Sequence, residues 1–146
     1  MIPEVQDQYQ LLVSVHRSVD KMVADLSDEQ WLKNPAENFN NIASIVEHVV
    51  LVERKFLAAL AGTSADMDVQ APFRASHWDV ASIKRQWQEN LQIAEETLSK
   101  LTEQDLTAPG LKLGIGELNK RQLLSYMIAH TVHHRGQIPL IKKLLG

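Results

Sequence analysis

Apolar residues recur in alternating steps of four and three along four stretches of this 146-residue chain, and no other feature limits its folding more. That spacing draws a stripe along one face of an α-helix, and a stripe has to be buried against another element. The first seam is Val5, Tyr9, Leu12, His16, Val19, Val23 and Leu26, which predicts a helix over 5–26. Ser27 offers a cap for a short helical turn that Pro35 should close. Asn41 can cap a second long helix from Ile42 to about Ala61, ended by Gly62, with Ile42, Ile45, Val49, Val52, Phe56 and Leu60 inward. Val80, Ile83, Trp87, Leu91, Ala94, Leu98 and Leu101 mark a third, from about Trp78 to Leu101. A breaker-rich loop with Pro109, Gly110, Gly114 and Gly116 leads to a capping-box quartet, Asn119 to Gln122, that opens the fourth. This last helix should run to about Ile138, be kinked or interrupted at Pro139, and continue through Leu140 to Leu145. No alternating strand pattern of useful length is visible. The expected fold is all-α, an antiparallel four-helix bundle over a single domain, 1–146.

Composition narrows the class of partner. Fifteen Lys and Arg stand against 18 Asp and Glu, a net charge of -3, and no basic stripe is apparent, which argues against nucleic acid. No run approaches the roughly 20 apolar residues that span a bilayer, and no leader pattern opens the chain, so no membrane partner and a cytoplasmic location are expected. With no cysteine, any metal must be held by imidazole and oxygen donors.

Helical phase separates the histidines. At 100° per residue, with His130 as zero, Leu123, Met127 and Ile141 fall at about 20°, 60° and 20°, and His134 at about 40°, so this pair faces the bundle interior. His133 lies about 60° to the other side, near Tyr126 on the flank of the stripe, and is not expected as a ligand. Gln137, at about minus 20°, shares the face of the pair, whereas Arg135, at about 140°, points to a surface or interface. His48 sits at the edge of the buried stripe of the second helix, a position that can line a cleft. Three inward imidazoles without partners would leave several polar nitrogens unsatisfied, and one shared cation would serve all three rings. His16 occupies a seam position of the first helix, where it faces either the core or a pocket. His16 and Gln137 are therefore the candidate substrate contacts. Trp31 and Trp87 fit the helical spacing as packing residues.

The segment NIASIVEHVVLVERKFL and the later RQLLSYMIAHTVHHRGQI carry a likeness over nearly the whole chain. Their specific parts are the histidine of the second helix, followed by an apolar-acidic-Arg sequence, and the H-x-x-x-H-R-G-Q ending. In these the chain resembles the DinB family, the DinB/YfiT-like four-helix-bundle metalloproteins. Carried over by position, the family's metal triad falls on His48, His130 and His134, the three residues that phase selects.

The resemblance implies a divalent cation, zinc or nickel, and a metal-dependent transferase or isomerase that uses a low-molecular-weight thiol such as bacillithiol or mycothiol on a small electrophile. Three histidines leave coordination positions open, as in catalytic sites. An open position suits a thiol, acidified and oriented without any protein cysteine, but also a water that would hydrolyse a small substrate. Another class of reading is a noncatalytic stress-response or ligand-binding protein whose metal organises a pocket. A homodimer is expected from the family, with Leu11, Val15 and Met22 as residues free to meet a second subunit.

Overall fold

The computed structural model describes residues 1–146 and contains seven α-helices, one short 3-10 helix (Ala71–Phe73) and one hairpin. The four long helices are α1 (Pro3–Val23), α3 (Ile42–Leu60), α4 (Val80–Leu98) and α6 (Lys120–Arg135). The short elements are α2 (Asp28–Leu32), α5 (Glu103–Leu106), β1 (Pro109–Leu113), β2 (Gly116–Asn119) and α7 (Gln137–Leu145). No helix is long and apolar enough to cross a membrane.

Local chemistry accounts for the boundaries. Ser27 and Gln30 form a reciprocal capping box at α2, and Asn119 and Gln122 form another at α6. The Asn41 side chain accepts from the Ser44 amide at 2.7 Å to open α3. At the other end of α3, Gly62 takes φ +79° while its amide bonds to the Ala59 carbonyl and the Thr63 amide to the Ala58 carbonyl. This pair of bonds needs a left-handed residue at its centre, which glycine supplies without steric cost.

Two expectations need correction. The last helix is interrupted at Gly136, between α6 and α7, and not at Pro139. A proline has no amide hydrogen, so the carbonyl deprived of its partner is that of Arg135, four residues earlier, and the ladder breaks there. The breaker-rich segment is also not a plain loop. β1 and β2 pair antiparallel around Gly114 and Ile115, with Leu113 opposite Gly116. The register shifts between Pro109 and Leu111, and a Cβ on Gly110 would come within 2.9 Å of the Leu118 carbonyl oxygen. Leu111, Leu113 and Leu118 pack onto the core from this hairpin. The other boundaries differ by a few residues: α1 ends at Val23, three short of Leu26, and α2 ends at Leu32, before Pro35.

Side-chain pairs fix the direction of each long helix. Tyr9 meets Glu95 and Asp20 meets Trp87, so α1 and α4 are antiparallel. Glu4 meets Arg121 and Ser18 meets Arg135, so α1 and α6 run parallel. His48 beside His130 and Phe56 beside Tyr126 make α3 and α6 antiparallel. One half of the core joins Ile42 to Val50 of α3 with Val80, Ile83 and Trp87 of α4; the other joins Val52 to Leu60 with Ala94 and Leu98, so α3 and α4 are parallel. α1 and α3 thus face each other across a diagonal. Because α3 and α4 are parallel, residues 61–79 must return along the length of the bundle.

A polar knot lies on the bundle axis. Glu53 of α3, 1% exposed, accepts from His16 Nε2 of α1 at 2.9 Å, Asn90 Nδ2 of α4 at 3.0 Å and Thr131 Oγ1 of α6 at 2.8 Å. His16 is stacked on Trp87 with ring centroids 3.7 Å apart. Asn90 also accepts from Arg54 Nε at 2.8 Å and donates to the Val50 carbonyl. A buried carboxylate is tolerated only when its oxygens are fully served, and here one donor comes from each of the other three long helices.

Thr131→Val keeps the shape but removes one donor to Glu53. The expected cost is about 1–3 kcal/mol of folding stability, read as a lower urea midpoint with an unchanged slope. An unaltered midpoint would mean that the bond contributes nothing to stability.

Candidate metal centre

The structure brings His48, His130 and His134 together, with one nitrogen of each ring lying within 4.8 Å of the others. His48 comes from the middle of α3, and the other two come from the last turns of α6. The Glu53–Thr131 bond ties these helices beside the triad, because Thr131 follows His130 directly and Glu53 lies little more than one turn beyond His48.

Hydrogen bonds at the rear of the rings decide which nitrogens face the centre. His48 Nδ1 lies 2.6 Å from the Val69 carbonyl oxygen, which can only accept, so Nδ1 carries the hydrogen and Nε2 presents a lone pair. His134 Nδ1 donates to Gln137 Oε1 at 2.8 Å and leaves its Nε2 free in the same way. His130 Nε2 stands 3.1 Å from His48 Nε2, while its Nδ1 is buried without a partner. Two nitrogens bound to one tetrahedral zinc at about 2.0–2.1 Å lie about 3.3 Å apart, so this separation suits a shared cation.

Electrostatics keep the donors neutral. Burial, reinforced by the neighbouring His134, His48 and His133, pushes His130 from 6.5 down to about 3. Burial also lowers His48, against the opposing hydrogen bond to Val69, and lowers His134, against the opposing bond to Gln137. Neutral imidazoles are the form that donates a lone pair to a metal. The donor set therefore fits a divalent cation, and the nitrogen-only set leaves that cation's charge intact.

The triad forms one wall of a cleft of about 500 Å³ that is also lined by Gln70, Phe73, Tyr126, Ala129 and His133. Phe73, delivered by the crossover, lies 4.6 Å from the His48 ring. His133 is exposed at the cleft rim, 4.9 Å from His134, and stands outside the triad. Gln137 reaches His134 and is absent from the cleft lining, while His16 is buried on Glu53 and Trp87 and does not line the cleft. Sequence reasoning missed Glu53 and the Val69 carbonyl. Glu53 had a signal, since it lies four residues after Val49 and three before Phe56, on the apolar seam; a backbone carbonyl has none.

The three depressed histidines give the metal-free protein a pH dependence. Their folded values lie below 6.5, so the unfolded chain binds more protons once the pH drops to that range, and stability falls as pH decreases through 6.5 towards about 3. Urea midpoints of chelator-treated protein should decrease from neutral pH to mildly acidic pH, where a flat or rising trend would contradict the neutral-triad assignment.

Comparison with known proteins agrees with the fold. A conserved protein from Enterococcus faecalis superimposes with a TM-score of 0.81 at 14% identity, covering 99% of this chain and 98% of its own. YfiT from Bacillus subtilis, described as a "probable metal-dependent hydrolase with an unusual four-helix bundle topology", gives a TM-score of 0.77 at 16% identity, covering 98% and 89%. A DinB-like protein from Bacillus cereus gives 0.72 at 20% identity, covering 94% and 90%. These likenesses establish the four-helix-bundle fold. No curated protein matches the chain. The model of the DinB family matches residues 1–146, and the chain therefore belongs to the DinB family.

Proposed function

We propose that His48, His130 and His134 bind a divalent metal, zinc or nickel, and that the protein transfers a low-molecular-weight thiol to a small electrophile. The observation that carries this reading is the composition of the cleft: three convergent imidazoles and no carboxylate or thiol among its lining residues. A bound divalent cation lowers the pKa of a thiol or water and keeps positions open for it. A free thiol starts near 8.5 and water near 15.7, so a thiol needs far less help to ionise at neutral pH where no carboxylate stands ready to take its proton.

The chain's own residues have defined tasks in this reading. Val69 and Gln137 hold the His48 and His134 rings in the tautomer whose Nε2 faces the cleft. Phe73 and Tyr126 give the cleft apolar walls that shield a thiolate from water, and exposed His133 at the rim can accept the proton released there.

One observation favours a second reading. The fold likeness to YfiT supports metal-dependent hydrolysis, in which His133 would take a proton from water. A homodimer also belongs among the proposals, with an altered surface: Val15 is buried inside the protomer at 8% exposure, whereas Leu11, at 49%, is open to a partner.

Two measurements test the function. Metal content after purification without an affinity tag should be lost in His134→Ala, and Gln137→Leu should bind metal about 10–100-fold more weakly because the ligand ring is released. Equal content in wild type and His134→Ala would reject the site. Metal-loaded protein offered bacillithiol, mycothiol or glutathione with a reactive electrophile should accelerate thioether formation; hydrolysis of ester or amide substrates without thiol acceleration would instead support the second reading.

A further inference from the structure

The cleft has a second arm. From the triad it continues between α3 and the hairpin into a space of about 220 Å³, where His48, Gln70, Tyr126 and His130 line both compartments. Val52, Phe56, Val69, Leu113 and Gly114 enclose the rest of this arm, with Lys55 as its one formally charged residue. No carboxylate lines either compartment, although the chain has 18 Asp and Glu.

Lys55 is one of several basic residues without a carboxylate partner, and among them it is the one that lines the cleft. Arg54, its neighbour, is engaged by Asn90 and Glu89, and Arg74, Lys84, Arg121 and Lys142 all have carboxylate partners. The ammonium group of Lys55 has no carboxylate within 4.0 Å and makes no hydrogen bond, yet the residue is half-buried. Lys55 follows His48 by seven residues, which places it on the same face of α3, two turns and about 10.5 Å further along the axis. Long side chains on a helix lean back towards its N-terminus, which carries the ammonium towards the triad. The stem of Lys55 is partly buried while its ammonium has no protein partner, so an anion brought into the arm would find a free cation there.

We infer that the Lys55 arm binds the carboxylate of the substrate, so that the thiol used at the triad is a carboxylated one. This rests on the thiol-transfer reading for the sulfur end of the ligand, whereas the carboxylate end depends on Lys55 alone. Lys55 is a specificity residue that holds the far end of the ligand, with Tyr126 and Gln70 as the polar groups between the two ends.

The test uses cobalt(II)-loaded protein, whose thiolate charge-transfer absorption reports binding without turnover. Wild type should bind the better of 3-mercaptopropionate and 6-mercaptohexanoate at least about tenfold more tightly than 2-mercaptoethanol, as a charge-assisted contact allows. Lys55→Met should remove that preference while leaving 2-mercaptoethanol affinity unchanged, and Lys55→Arg should retain most of it. Equal affinities in wild type, or a preference that survives in Lys55→Met, would overturn the assignment. In parallel, glutarate is titrated into ¹⁵N-labelled zinc-loaded protein. Shifts at the Gly114 amide that vanish in Lys55→Met are expected, and their absence would overturn the carboxylate arm. Absence of the charge-transfer band with every thiol, while the glutarate shifts persist, would overturn the thiol reading and leave the carboxylate arm standing.

Discussion

The carboxylate of Glu53 is the point on which the bundle depends. Hydrophobic packing brings helices together but tolerates sliding and rotation, because apolar contacts have no direction. A buried carboxylate that must receive hydrogen bonds from His16, Asn90 and Thr131 allows one axial and rotational setting of α1, α4 and α6 relative to α3. The triad gains from this constraint. His48 and His130 belong to different helices, and a half-turn error between α3 and α6 would separate their nitrogens by several ångströms.

The polar groups inside this protein therefore divide into two sets. One set, centred on Glu53, is served from within: three helices donate to the carboxylate, and the Trp87 ring covers the histidine, whose Nδ1 is left without a partner. The other set, at the triad, is left open, with lone pairs converging on a cleft and no protein donor to satisfy all of them. The first set holds the second in place. His16 looks like the triad histidines when read along a helix seam, and what distinguishes it is only the acid it meets across the diagonal.

This difference marks what the sequence could convey. Periodicity is a property of one helix, so the four long helices, the Asn41 and Asn119 caps and the inward faces of His48, His130 and His134 were all legible. Contacts between helices were legible only where residue type implied them, as with three imidazoles calling for a common cation. Glu53 and His16 occupy seam positions on separate helices, and an acid and a base on two seams form a pair that periodicity within one helix does not reveal. The hairpin escaped because its alternation is confined to Leu111, Lys112 and Leu113, too short to stand out from a loop. The break at Gly136 was misplaced because a missing donor acts on a carbonyl four residues away, not at the proline itself.

The parallel run of α3 and α4 has a consequence for how this site can vary. Parallel neighbours cannot be joined by a tight turn, so the chain carries a long strap, 61–79, back over the end of the cleft, and the carbonyl of Val69 on that strap sets the tautomer of His48. A carbonyl is the same whatever side chain it accompanies. The orientation of this imidazole is thus written in the length and path of the strap rather than in its residues. Side chains of the strap that do not line the cleft can change while the acceptor stays in place, whereas a single insertion or deletion would move it out of reach and change the site without touching any of its histidines.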